Sequence, residues 1–171
     1  MSAEDVAQRV LMAGLVPLWI LAGLVDWACH RRTRIERTSG LRENVFHWVL
    51  LAEGGVALVA TALLQPGPAL LAIVLAAFAA HELTTYVELR YTAPRREIRP
   101  FEQMVHSFME LLPLGLFALL AVLAAGEQPT RWPAGYLFVV GIAVLVLNVL
   151  PLAEESWRCA RARGAGAGRL P

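Results

Sequence analysis

Five apolar stretches, at 10–25, 48–64, 69–80, 111–125 and 134–153, leave this chain few ways to fold. A bilayer core asks for about 20 mostly apolar residues per helix, and only 134–153 reaches that length alone. The other four reach spanning length only by taking ionisable residues in at one end. With 57% hydrophobic and 17% charged residues, the chain stands well away from a soluble domain, which is ~45–50% apolar and about 25% charged. That balance excludes a disordered chain, a basic nucleic-acid-binding domain and a disulfide scaffold. Cys29 and Cys159 lie too far apart in sequence to form a paired thiolate motif.

The arginines set the orientation. There is no lysine, and thirteen of the fifteen arginines fall on alternate connections. Arg31, Arg32, Arg34, Arg37 and Arg42 follow the first run; Arg90, Arg95, Arg96 and Arg99 follow the third; Arg158, Arg161, Arg163 and Arg169 follow the fifth. Only Arg9 and Arg131 lie on the other side. By the positive-inside rule this predicts a multi-pass protein with its N-terminus outside and its C-terminus cytoplasmic. Glu4 and Asp5 stand where a cleaved signal would be basic, so the first run is expected to stay in place.

The expected fold is an all-α integral membrane domain over 1–163, with spans at about 6–30, 41–64, 69–91, 100–124 and 134–157. A flexible tail is expected over 164–171, where glycine and alanine alternate without apolar periodicity. Ser39 and Gly40 suit a helix start, Pro94 a stop, and Pro100 a first helical position with Glu102 in its first turn.

All four histidines, His30, His47, His81 and His106, lie in or beside spans, each with a carboxylate on its helix face. Asp26 stands four residues from His30, Glu43 four from His47, Glu88 seven from His81, and Glu102 and Glu110 four to either side of His106. Separations of four or seven keep side chains within about 40° of one another on a helix. Counted from the centres of the arginine-rich loops, Asp26 is level with His47, and His81 with Glu110. Buried ionisable groups cost ~2.5–3.5 kcal/mol each on insertion scales and persist where they pair, coordinate or line a path. A divalent cation cluster resolves the excess of carboxylate, as in four-helix dimetal proteins.

Asp26, His30, His47, Glu53, His81, His106 and Glu110 are therefore the candidate metal ligands, with Glu43, Glu82, Glu88 and Glu102 as further candidates. Glu43 and Glu102 also suit the helix dipole whatever the function, and His30 and Glu88 are near enough to the interface to pair with loop arginines. Glu53 lies about 120° around its helix from His47, so its place in the set depends on a bend at Gly54 and Gly55. Glu154 and Glu155 read as interfacial partners of Arg158 and Arg161, outside the site. The units Glu43-x-x-x-His47 and Glu102-x-x-x-His106, each preceded by an arginine pair, suggest a duplicated hairpin.

The strings running from His30 to Glu36, from His81 to Thr84 and from Glu102 to Pro113 are similar to those of small bacterial inner-membrane proteins. The resemblance covers roughly the first four spans. It implies a multi-pass place in the bacterial inner membrane and carries no activity, substrate or cofactor.

The chemistry points to a dinuclear centre, with two iron ions first and zinc or manganese compatible, built by the first four helices. The expected activity is that of an oxidoreductase on a lipid or other membrane-dissolved substrate, reached from the cytoplasmic leaflet, where Arg32 and Arg95 would meet an anionic headgroup. Such an enzyme needs an electron donor, which the sequence does not specify. The fifth helix is expected outside the ligand bundle, free to join copies of the chain, and no nucleic-acid partner is expected. A zinc-dependent lipid hydrolase, with Ser107 beside His106, and a metal-ion or proton transporter are the competing readings.

Overall fold

The computed structural model describes residues 1–126 and 132–167, with side chains as far as Gly164. Among them all regular structure is helical, and five helices are long and apolar enough to cross a membrane, as in a multi-pass membrane protein. They are α1 (Ala3–Thr33), α2 (Leu41–Leu63), α3 (Pro68–Thr92), α4 (Pro100–Ala124) and α5 (Ala134–Gly164). The helix of α5 continues to Ala167, into the segment expected to be a flexible tail. Arg131, Arg169 and the rest of that tail, 168–171, lie outside the described residues. Every other arginine except Arg9 lies toward one end of the helices, here termed the arginine-rich end.

Helix boundaries follow from local chemistry. Ser2 accepts from the Asp5 amide and donates its own amide to the Asp5 carboxylate, which closes a capping box at the start of α1. Arg34 ends α1 in the left-handed conformation (φ 55°), and fully buried Ile35 anchors the turn that follows. Gly40, with φ 66°, caps α2 without a side chain. Ser39, expected to cap, turns its hydroxyl to the Glu43 carboxylate instead. Pro68 and Pro100 open α3 and α4, and Pro94 follows the end of α3, as the fixed φ of proline requires.

Packing makes a closed ring. α1 lies against α4, α4 against α3, and α3 against α2, while α1 and α2 make at most marginal contact. α5 fills that gap, touching α2, α1 and the turn at Ile35–Arg37. The fifth helix is thus a member of the ring, not an outlier beside four, because α1 and α2 diverge and leave an apolar groove that only another helix can close.

The largest apolar core is at the α1/α4 contact, where Leu11, Leu15 and Val16 meet Leu112, Leu116 and Leu120, all buried. Gly115 lets α1 come close, since a Cβ there would stand 3.1 Å from Leu15. α1 and α5 are tied through their two π-helical turns, Leu11–Leu15 and Leu145–Val149. Tyr136 of α5 donates its hydroxyl to the Met12 carbonyl at 2.7 Å, and Asn148 donates to the Ile20 carbonyl at 3.0 Å. The Met12 carbonyl belongs to the widened turn of α1 and Asn148 to that of α5, so each bond has one end in such a turn.

Candidate metal centre

The arginine-rich half of the ring encloses a buried polar cluster with His30 at its middle. His30 (α1) is 1% exposed and stacks on His47 (α2), ring centroids 4.3 Å apart. Its Nδ1–H donates to Glu155 Oε2 at 3.2 Å, and the Nδ1–H of His47 donates to Oε1 of the same carboxylate at 2.9 Å. Glu155 also accepts from the Asn44 side-chain amide at 2.9 Å. Asn44 in turn accepts from Ser156, which accepts from Trp48. One carboxylate of α5 thereby fixes both imidazoles, the arrangement that orients histidines for a metal.

With Nδ1 held by Glu155, each ring turns its Nε2 toward other carboxylates. His30 Nε2 faces Asp26 Oδ1 at 3.4 Å and Glu102 Oε1 at 3.6 Å, and it has no hydrogen-bond partner. His47 Nε2 faces Glu43 Oε1 at 3.9 Å. On α4, His106 Nε2 meets Asp26 Oδ1 at 2.8 Å. His106 donates to Asp26 there, whereas the Nε2 of His30, set among carboxylate oxygens without a bond, calls for a cation or a proton between them. Two groups have donor atoms within 4.8 Å of one another: Asp26, His30 and His106; and His30, Glu43 and His47. His30 belongs to both.

Arg96, from the α3–α4 connection, closes the cluster at the arginine-rich end. Its Nη2 lies 2.5 Å from both Glu43 Oε1 and Glu102 Oε1, and its Nε donates to Glu43 at 3.1 Å. Burial pulls the Arg96 pKa down, but hydrogen bonds to Glu43 and Glu102 outweigh it and the net direction is up, so the guanidinium stays charged. Glu43 is fully engaged by Arg96 and Ser39. Glu102 keeps Oε2 without a partner although the residue is 1% exposed.

Below this lies a cavity of about 30 Å³ lined by Asp26, His47, His81, His106, Glu88 and Glu110, among others. It exceeds the ~10–15 Å³ a single water needs. Asp26, His47, His81 and Glu110, expected at one depth, do meet around it. Glu88 reaches it while accepting from Thr92 at 2.9 Å. Six carboxylates, of Asp26, Glu43, Glu88, Glu102, Glu110 and Glu155, thus lie in this half of the ring, and Arg96 binds two of them directly.

Other expected residues sit elsewhere. Glu53 does not join the His30 cluster: it accepts from Thr84 at 2.8 Å and lies 3.7 Å from His81 Nδ1, both facing atoms being buried and unpartnered. Its place 120° from His47 aims it at α3, and no bend brings it back. Glu82 has a buried unpartnered oxygen but lines neither cavity. Ser107 is exposed and donates to the Gln103 carbonyl, away from the cluster. His30 and Glu88 find partners inside the ring, not among loop arginines.

The reading of Glu154 and Glu155 as an interfacial pair holds for Glu154 alone, which accepts from Arg158 and Trp27. Glu155 is fully buried. It lies on the stripe Asn148, Leu152, Glu155, Cys159, spaced by four, three and four, which faces the ring; Glu154 is turned about 100° away. The arginine pairs are not equivalent either. Arg96 clamps two carboxylates, whereas Arg31 approaches Glu154 at 3.7 Å and Arg32 is exposed.

The second cavity, about 390 Å³, starts at this floor and is lined by Asp26, His30, His47 and Glu155, then by apolar residues of α1, α2 and α5 such as Leu58, Val59 and Val144. It runs away from the arginine-rich end. No arginine lines it, and Arg95 is packed on the Tyr91 ring, 3.8 Å from the centroid. The expected opening toward an anionic headgroup at Arg32 and Arg95 is therefore replaced by one toward the apolar middle of the ring, where α1 and α2 diverge.

Neither a protein-family model nor a curated protein nor a solved structure matches the chain.

Proposed function

We propose that this protein is a membrane-embedded, metal-dependent oxidoreductase acting on a lipophilic substrate, with its arginine-rich end in the cytoplasm of a bacterium. The observation that carries the reading is the unpartnered Nε2 of His30. It is fully buried, fixed from behind by Glu155, and aimed at carboxylate oxygens of Asp26 and Glu102 that cannot donate to it. A metal ion fits that donor set better than a proton alone, because a buried carboxylate, Asp26, and a second imidazole, His106, bring donor atoms within 4.8 Å of one another and of His30.

Asp26, His30 and His106 would hold one ion. His47, with His81, Glu88 and Glu110 around the small cavity, would hold the other. Imidazole and carboxylate without thiolate favour iron, with manganese and zinc compatible. Bound iron supplies electron-transfer chemistry with oxygen. The protein's own side chains do the rest: Glu155 holds two imidazoles, Arg96 holds Glu43 and Glu102, and the apolar cavity keeps water from the floor. That cavity offers no ligands toward the opposite end among the described residues, which favours chemistry over ion transport.

Elemental analysis and an optical spectrum of detergent-purified protein test this. Iron near two per chain without a haem band is expected, and His106→Ala should lower it severalfold. Zinc in its place would move the reading to a hydrolase. Full metal occupancy in His30→Ala and His106→Ala together would reject the centre.

A further inference from the structure

The long cavity has features that the metal centre alone does not explain. On α2 its lining runs from His47 to Ala62, a length of ~22 Å at 1.5 Å per residue, so its 390 Å³ forms an elongated slot. The floor is polar and everything beyond is apolar apart from Asn148, whose amide is committed to the Ile20 carbonyl. A ligand matching it has one polar end and one long hydrocarbon chain. Glycines widen the slot at Gly55 of α2 and Gly141 of α5, where an added Cβ would meet no atom within 4 Å.

Charge excludes an anionic end. Two carboxylates, Asp26 and Glu155, stand at the floor, and no arginine lines the slot. A phosphate or carboxylate headgroup would therefore stand against Asp26 and Glu155 with no arginine to receive it. An uncharged oxygen bears no such cost.

We propose that the slot binds a single-chain lipid with an uncharged, oxygen-bearing end, such as a long-chain alcohol. The oxygen lies at the His30, His47 and Glu155 floor and the chain extends between α2 and α5. This rests on the metal reading, which makes the floor the reacting end of the slot.

The probe is a long-chain primary alcohol bearing a diazirine near mid-chain, applied to the purified full-length protein in nanodiscs. Saturable labelling within 50–62 or 137–152 is expected, displaced by unlabelled alcohol of the same length and not by a short-chain alcohol. Gly55→Leu and Gly141→Leu put side chains into open space and should weaken labelling at least tenfold. Both should keep wild-type metal content and melting temperature. Labelling unchanged by both leucines overturns the slot. Competition by a chain-matched carboxylate or ammonium as strong as by the alcohol overturns the choice of head. Displacement by short-chain alcohol overturns the role of the chain, and this arm needs only the wild-type protein. Metal is counted on the same samples: its absence from wild type defeats the metal reading alone, and unchanged labelling defeats the slot alone.

Discussion

Glu43-x-x-x-His47 and Glu102-x-x-x-His106 are written alike in the sequence, open α2 and α4 alike, and share one guanidinium, yet they end in different states. On α2 both oxygens of Glu43 are occupied, by Arg96 and by Ser39, and the imidazole of His47 is pinned from behind by Glu155. On α4 one oxygen of Glu102 is left without a partner, and His106 points its Nε2 at Asp26. The same spacing thus gives a finished clamp on one helix and, on the other, a carboxylate with one oxygen left open, the candidate coordination face. What differs is the neighbour: α5 stands behind the first unit and α1 stands beside the second. Repeated motifs in a membrane bundle take their roles from the helix they face.

That contrast breaks most visibly at Arg96, the one group both units share. Arg96→Met leaves Glu43 and Glu102 buried without their cation. Losing one partner of a buried ion pair costs about 3–5 kcal/mol, so the variant should melt far below wild type or fail to assemble in detergent. Arg95→Met should melt like wild type. A thermal scan of the two side by side decides it.

Next comes the open face. Asp26→Asn and His106→Ala should each reduce bound metal by tenfold or more, whereas Glu43→Gln should reduce it less, because Glu43 is spent on Arg96. Equal losses from α2 and α4 variants would erase the distinction between clamp and coordination face.

Glu155 should act at one remove. Supporting carboxylates behind metal-bound histidines are typically worth 10–100-fold in affinity, so Glu155→Gln should weaken metal binding within that range while Glu154→Gln leaves it unchanged. Titration with a competing chelator reads both. The smallest effect is expected at Ser39→Ala, which removes one hydrogen bond to Glu43. About 1 kcal/mol of stability and no change in metal content are expected, measured by denaturation and elemental analysis.

The five spans were readable because hydrocarbon tolerates only helices of a given length, and apolar runs plus arginine loops mark them. The meeting of Asp26, His47, His81 and Glu110 was readable from residue counts, since rise per residue is a ruler. Glu155 was not read, because its position among Glu154, Arg158 and Arg161 resembles an ordinary interfacial ion cluster. Only its stripe with Asn148, Leu152 and Cys159 separates it from Glu154. Arg96 was missed as a clamp because nothing along the chain says that two first-turn glutamates on separate helices will face one loop. Glu53 was placed with His47 against its own helical angle, and the angle prevailed.

One consequence of the ring concerns time. α1 and α2 scarcely touch, and the side chain that aligns His30 with His47 arrives on α5. Ribosomes deliver helices in order, so the earlier four enter the bilayer with both imidazoles unaligned. The two rings come under one carboxylate only when the closing helix docks, so the last helix in the ring sets the register of residues on the first two.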